Sequence, residues 1–210
     1  MRNGKKFPAA LLAAAMLFAA IPADGAPIVF TEQFYGLFRM RLQREPGNHL
    51  ENIHWLERAL AADFANPLHA LATIDDETQW EKYRLLFRMH LNVKIAEQYL
   101  FLSSQWSRRQ AFFFNAPWRE QNLESFEIAE GFIAAASFHW EEAVRWAAQA
   151  RDARFRFVDL PRVQFWTDSA HRIGTGDLDY GRTIRRELAN IERMREMFRA
   201  MPDPVRPGAL

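Results

Sequence analysis

Apolar side chains recur every three or four residues along most of this chain, the spacing that gathers one face of an α-helix. Thr31 is placed to cap a first helix carrying Phe34, Leu37, Phe38 and Leu42, and Pro46-Gly47 ends it. Asn48, with Glu51 three residues on, makes a capping-box-like start for a second helix, whose Leu50, Ile53, Leu56, Leu60 and Phe64 form one stripe. Asn66-Pro67 stops that stripe, leaving residues 67–74 as a short helical turn.

Asp75 or Asp76 then opens the longest helical stretch, from about Thr78 to Ser103, with Trp80, Tyr83, Phe87, Leu91, Ile95 and Tyr99 along one side. Ser103-Ser104-Gln105 reads as a turn and Ser107 as a cap, followed by a short returning helix over 108–115 closed by Ala116-Pro117. A further helix is expected from about Glu120 to Ser137. Its partner starts near Trp140 and carries Ala143, Ala147 and Ala150, small residues that let two helices approach closely. Residues 154–160 form a connector whose Phe155, Phe157 and Leu160 are expected to reach the core. Pro161 suits the first turn of a helix lasting to about Ile173. Gly174-Thr175-Gly176 breaks it, Asp177 or Asp179 caps a last helix to Met201, and the tail from Pro202 frays. No stretch alternates with period two long enough for a sheet, so the fold class is all-α.

Two lines of the chain read as copies. Ile95-Ala96-Glu97-Gln98-Tyr99-Leu100 is followed by Ser103 and Trp106, and Ile128-Ala129-Glu130-Gly131-Phe132-Ile133 by Ser137 and Trp140. The triplets start 33 positions apart and the tryptophans 34. A fixed period of that size is the mark of stacked helical pairs, each needing a neighbour to bury its apolar face.

Composition narrows the class. With 210 residues, 49% of them hydrophobic and 14% aromatic, the chain can bury a sizeable core and is not disordered. Residues 1–25 read as a signal peptide: basic Arg2, Lys5 and Lys6, an apolar core from Phe7 to Ile21, and the small-x-small exit Ala23-Asp24-Gly25, so the expected mature start is Ala26. The apolar core is short for a bilayer span, and an uncleaved amino-terminal anchor is the alternative. The body is then one all-α domain over 26–201, with 202–210 as a disordered tail, in the periplasm. Cysteine is absent, which removes both a lipid-modified anchor and any disulfide framework. Removing Arg2, Lys5, Lys6 and Asp24 with the leader leaves one more acidic than basic residue, so nothing argues for nucleic acid.

The helical pairing resembles the tetratricopeptide repeat, a helix-turn-helix unit whose stacks make a concave groove for partner proteins. The best match is 131–150, where Trp140-Glu141-Glu142-Ala143 stands like the turn and opening of the second helix, and Gly131 falls at the small residue of the first. Ala134 stands where an aromatic is usual, and the first copy has Gln98 and Arg109 at the small positions. Gly176-Asp177-Leu178-Asp179-Tyr180 resembles a third, degenerate turn, so the likeness spans about Asn92 to Phe198. Together with the leader, Asn66-Pro67-Leu68 and Asn115-Ala116-Pro117-Trp118 look like segments of exported helical proteins of spirochaetes. Related repeat proteins there serve as scaffold in the collar of the periplasmic flagellar motor.

The tetratricopeptide likeness implies a groove lined by Asn92, Ile95 and Tyr99 from one copy and Ser125, Ile128 and Phe132 from the next, able to hold an extended or helical peptide. The competing reading makes Ile95, Tyr99, Ile128 and Phe132 ordinary core. Trp106 and Trp140 read as packing residues between helices. None of the six histidines forms a His-Glu-x-x-His helix motif, and His49 and His54 are five apart, off a shared face, so no metal is expected. Glu124-Ser125 resembles the Glu-Ser of lytic transglycosylases, but the accompanying glycine-leucine-aromatic-glutamine motif is missing. Asp177 and Asp179 lack the further oxygen ligands of a calcium loop, and capping accounts for both. No nucleophile elbow, phosphate loop or dinucleotide fingerprint occurs. The leading expectation is a non-enzymatic periplasmic adaptor or scaffold, without cofactor, that binds protein partners and has no membrane span after signal cleavage, with peripheral association with the envelope also open. A ligand-binding accessory of a transport system is the alternative, and a cell-wall enzyme the third reading.

Overall fold

The computed structural model describes residues 27–107 and 118–202; the expected leader, the returning helix expected over 108–115 and the tail beyond Pro202 lie outside the described residues. Among the described residues six α-helices follow one another: α1 (Thr31–Arg44), α2 (His49–Ala61), α3 (Glu77–Trp106), α4 (Arg119–Ala150), α5 (Gln164–Thr175) and α6 (Tyr180–Arg199). Short 3₁₀ turns occupy Pro67–His69, Ala153–Phe155 and Pro161–Val163, and no strand occurs among the described residues. The protein is an all-α bundle.

Side-chain oxygens set most of the helix starts, because the first turn of a helix leaves its N–H groups unpaired. The Glu51 N–H donates to Asn48 Oδ1 at 3.3 Å, the Gln79 N–H to Asp76 at 2.8 Å, and the Arg182 N–H to Asp179 at 2.9 Å. Asn66 and Asp152 cap the 3₁₀ turns in the same manner. Gly176, at φ +81°, closes α5 in the left-handed conformation that glycine adopts without steric cost. Thr31 is not a cap. Its hydroxyl reaches the carbonyls of Ala59 and Ala62, each at 3.0 Å, and ties the start of α1 to the end of α2.

α3 is the axis of the molecule and is buried on nearly every side, from Lys82 and Tyr83 to Leu102 and Ser103. α4 returns antiparallel along it: Asn92 meets His139, and the Ser125 hydroxyl meets the carbonyl of Trp106. α4 presents Phe126, Ala129, Ile133, Ala136, Trp140, Ala143, Ala147 and Ala150, all buried, at unbroken three-then-four spacing. That is the register of knobs-into-holes packing, and its alanines admit the close neighbour expected of them. α1 and α2 cover one side of α3, while α5 and α6 pack on α4. Between the layers lies an aromatic cluster in which Phe87 stacks on Trp166 at 4.7 Å and meets Tyr35 edge-on at 5.1 Å.

Several expected boundaries and faces are corrected. α3 continues through 103–105 to Trp106, and α4 runs unbroken through 137–140, so neither expected turn forms. The serines are accommodated within the helices: Ser104 bonds back to the carbonyl of Phe101 at 2.7 Å, and Ser137 to Glu141 one turn on at 3.3 Å. Leu50 is 64% exposed, since α2 turns Asn52, Ile53, Leu56 and Ala59 inward instead. Phe155 and Leu160 are buried, but Phe157 stands 91% exposed at the apex of the connector. Trp140 packs edge-on against Tyr180 at 5.4 Å, whereas Trp106, at the end of α3, is exposed.

Candidate functional site

Helical spacing on α4 places Phe132 and His139 two turns apart on one face, and the ring of Tyr99 from α3 enters between them. Tyr99 stacks on Phe132 at 6.2 Å and on His139 at 5.9 Å, and the exposed Phe138 adds an edge-on contact to His139 at 5.1 Å. The Tyr99 hydroxyl donates to Glu57 of α2 at 3.1 Å. Burial, then the charge of Glu57 and the hydrogen bond to it, push the Tyr99 phenol up to about 12.

Behind this row sits buried Asn92. Its Nδ2 donates to the Arg88 carbonyl at 2.9 Å, so Oδ1 is the atom that receives His139 Nδ1–H at 2.8 Å. The orientation assigns the neutral tautomer: the proton is on Nδ1 and the lone pair on Nε2. Burial holds the imidazole below its ordinary pKa, opposed by the carboxylates of Glu57 and Glu142.

The six expected groove residues therefore divide. Asn92, Tyr99 and Phe132 come together in the row. Ile95 is fully buried in the core, Ser125 is buried in its bond to Trp106, and Ile128 is 42% exposed on another face of α4. They do not line one open surface, because the second copy belongs to a helix antiparallel to the first. His139 and Glu57 were missed, although His139 stands seven residues from Phe132 and so shares its face.

A second surface opens between α3 and α6. It is a cleft of about 520 Å³ lined by Glu97, Leu100, Phe101 and Ser104 on one wall and Tyr180, Thr183, Arg186 and Glu187 on the other. Glu97 is already engaged: the Tyr180 hydroxyl donates to it at 2.6 Å across the cleft, and Lys94, outside the lining, pairs with the other carboxylate oxygen at 2.8 Å. The exposed ring of Phe101 lies parallel to His49 at 5.1 Å.

No cluster of three or more His, Asp or Glu side chains is arranged to hold a metal ion among the described residues. Glu124 is exposed on α4 while Ser125 points inward, so that pair faces no common space. Asp179 is spent on capping α6, and Asp177 receives the Thr175 hydroxyl at 2.6 Å. No helix among the described residues is long and apolar enough to cross a membrane. A family model described as a domain of unknown function, DUF8513, matches residues 78–201. Neither the curated proteins nor the solved structures contain a match.

Proposed function

The chain belongs to the DUF8513 family, and from that premise we propose that it is a non-enzymatic adaptor or scaffold that seats a helical segment of a partner protein in the α3–α6 cleft. The observation that carries this reading is the spacing of the cleft walls. Glu97, Leu100, Phe101 and Ser104 fall at i, i+3, i+4 and i+7, and Tyr180, Thr183 and Glu187 at i, i+3 and i+7. Two helices thus offer the seam that a third would fill, with Leu100 and Phe101 as apolar anchors and Glu97, Arg186 and Glu187 as charged ones. The leader pattern supports a periplasmic setting, and the likeness to exported spirochaete proteins suggests an envelope assembly such as the flagellar collar. A tetratricopeptide-like stack is not needed for this reading, which rests on the cleft.

An accessory protein for a small ligand would be better served by an enclosed pocket with unsatisfied polar groups. The cleft is open, and Glu97 is already engaged by Lys94 and Tyr180.

The test places a photo-crosslinking amino acid at Phe101 or Thr183 in the full chain and at Leu50 as a surface control. A discrete protein adduct from the cleft positions alone, lost when Leu100→Asp is added, supports the reading. Equal labelling at all three positions, or none at the cleft, removes it.

A further inference from the structure

The aromatic row at the α2–α3–α4 junction is a separate surface from the cleft, and nothing in the adaptor reading uses it. Each group it offers is an electron donor. His139 is only 9% exposed, and no described residue donates to its Nε2. Because Nδ1 points inward to the buried Asn92, Nε2 on the far side of the ring points outward. Glu57 accepts one hydrogen bond, from Tyr99, and has no basic partner among the described residues. Phe132 and the exposed Phe138 add the negative faces of their rings, while Tyr99 is already stacked between Phe132 and His139. Glu142 adds a second carboxylate, already paired with Arg145.

We propose that this row binds a cationic group rich in N–H donors, a guanidinium or an alkylammonium, by hydrogen bonds to His139 Nε2 and Glu57 and by contact with the rings of Phe132 and Phe138. An anion would meet Glu57 and the ring faces unfavourably, and a purely apolar group would strand the imidazole nitrogen and the carboxylate without donors. The rings are already interleaved and the tautomer is set by Asn92, so little ordering is left for the binding step. The cation could be a free small molecule or an arginine or lysine side chain of a protein.

The full chain would be titrated with argininamide, with a Gly-Arg-Gly peptide, and with citrullinamide as the neutral isostere, following the His139 imidazole signals by NMR. Argininamide or the peptide should bind about tenfold more tightly than citrullinamide, the equivalent of one charge-assisted contact. Glu57→Gln, at an exposed position that leaves the core intact, should weaken the cation about tenfold and citrullinamide little. A peptide tighter than argininamide assigns the site to a protein side chain; equal affinity assigns it to a free cation. Equal binding of citrullinamide, no His139 response up to about 20 mM cation, or Glu57→Gln and His139→Gln variants that bind as the parent does would each overturn the proposal.

Discussion

The Tyr35 hydroxyl lies 2.8 Å from His90 Nε2, inside the interface where α1 meets α3. His90 is packed against Phe165 and Trp166 as well, and its surroundings leave almost no water for a charge. Burial, with a small contribution from Lys94, holds this imidazole neutral down to about 3.

The sign of the pH dependence follows. An unfolded histidine takes up a proton near pH 6.5, and folded His90 does so only near 3, so between these values the unfolded chain binds more protons. His90 therefore contributes stability that is complete above about pH 6.5 and is lost as pH falls toward 3, with a slope of up to about 1.4 kcal/mol per pH unit. His139, shifted in the same direction, adds to the effect. Urea midpoints at pH 7, 5 and 4 should fall more steeply for the parent than for His90→Gln. Parallel curves would show that His90 protonates freely in the folded protein.

Gly131 sits in the middle of α4 with no atom within 4 Å of where a Cβ would stand. Gly131→Ala should raise stability by about 0.5–1 kcal/mol through helix propensity alone, read as a higher melting temperature. A loss would mean that the small residue is needed for close packing, as the tetratricopeptide likeness implies.

Phe155 and Phe157 are two residues apart with opposite fates, one buried and one exposed. Phe155→Ala should cost about 3–5 kcal/mol, while Phe157→Ala should stay within about 0.5 kcal/mol. Chemical denaturation of the two variants decides it; equal losses would place both rings in the core.

Lys82 is buried with its ammonium 2.6 Å from the Val158 carbonyl and 3.3 Å from that of Phe155, and burial pulls its pKa down against the opposing charge of Asp159. Lys82→Met, which keeps much of the side-chain volume, should cost about 1–3 kcal/mol by leaving those carbonyls without a donor. Amide exchange at Val158, whose N–H donates to the same Phe155 carbonyl that Lys82 holds, should speed up more than exchange in α3.

Capping is local chemistry, so Asn48 was legible as a cap and the other two starts were narrowed to Asp75 or Asp76 and Asp177 or Asp179, of which Asp76 and Asp179 cap. The Ala143, Ala147 and Ala150 face was legible from its spacing. The unbroken α4 was in principle legible too: the three-then-four register from Phe126 to Ala150 passes through 137–140 without a change of phase, and a turn there would have reset it. The likeness of Trp140 to the turn position of a repeat instead favours a helix ending at Ser137 and a new one starting near Trp140, and that local signal is outweighed by the continuous register. Leu50, Ile128 and Phe157 could not be placed from periodicity, since an apolar residue is buried only if another element arrives to cover it. The link from His139 to Asn92 needed the register between two helices, which distant residues set together.

The DUF8513 match opens at Thr78, one residue inside α3, so α1 and α2 precede it. Yet Glu32 receives the Tyr83 hydroxyl at 3.2 Å, Tyr35 touches Phe87 and His90, and Asn52 donates to Gln98 at 3.2 Å. The amino-terminal hairpin thus covers part of the matched span: a chain cut free at Thr78 would turn the flank that carries Tyr83, Phe87 and His90 toward water. Such a fragment is expected to unfold at a lower temperature than the full chain, or to hide the bared rings by self-association.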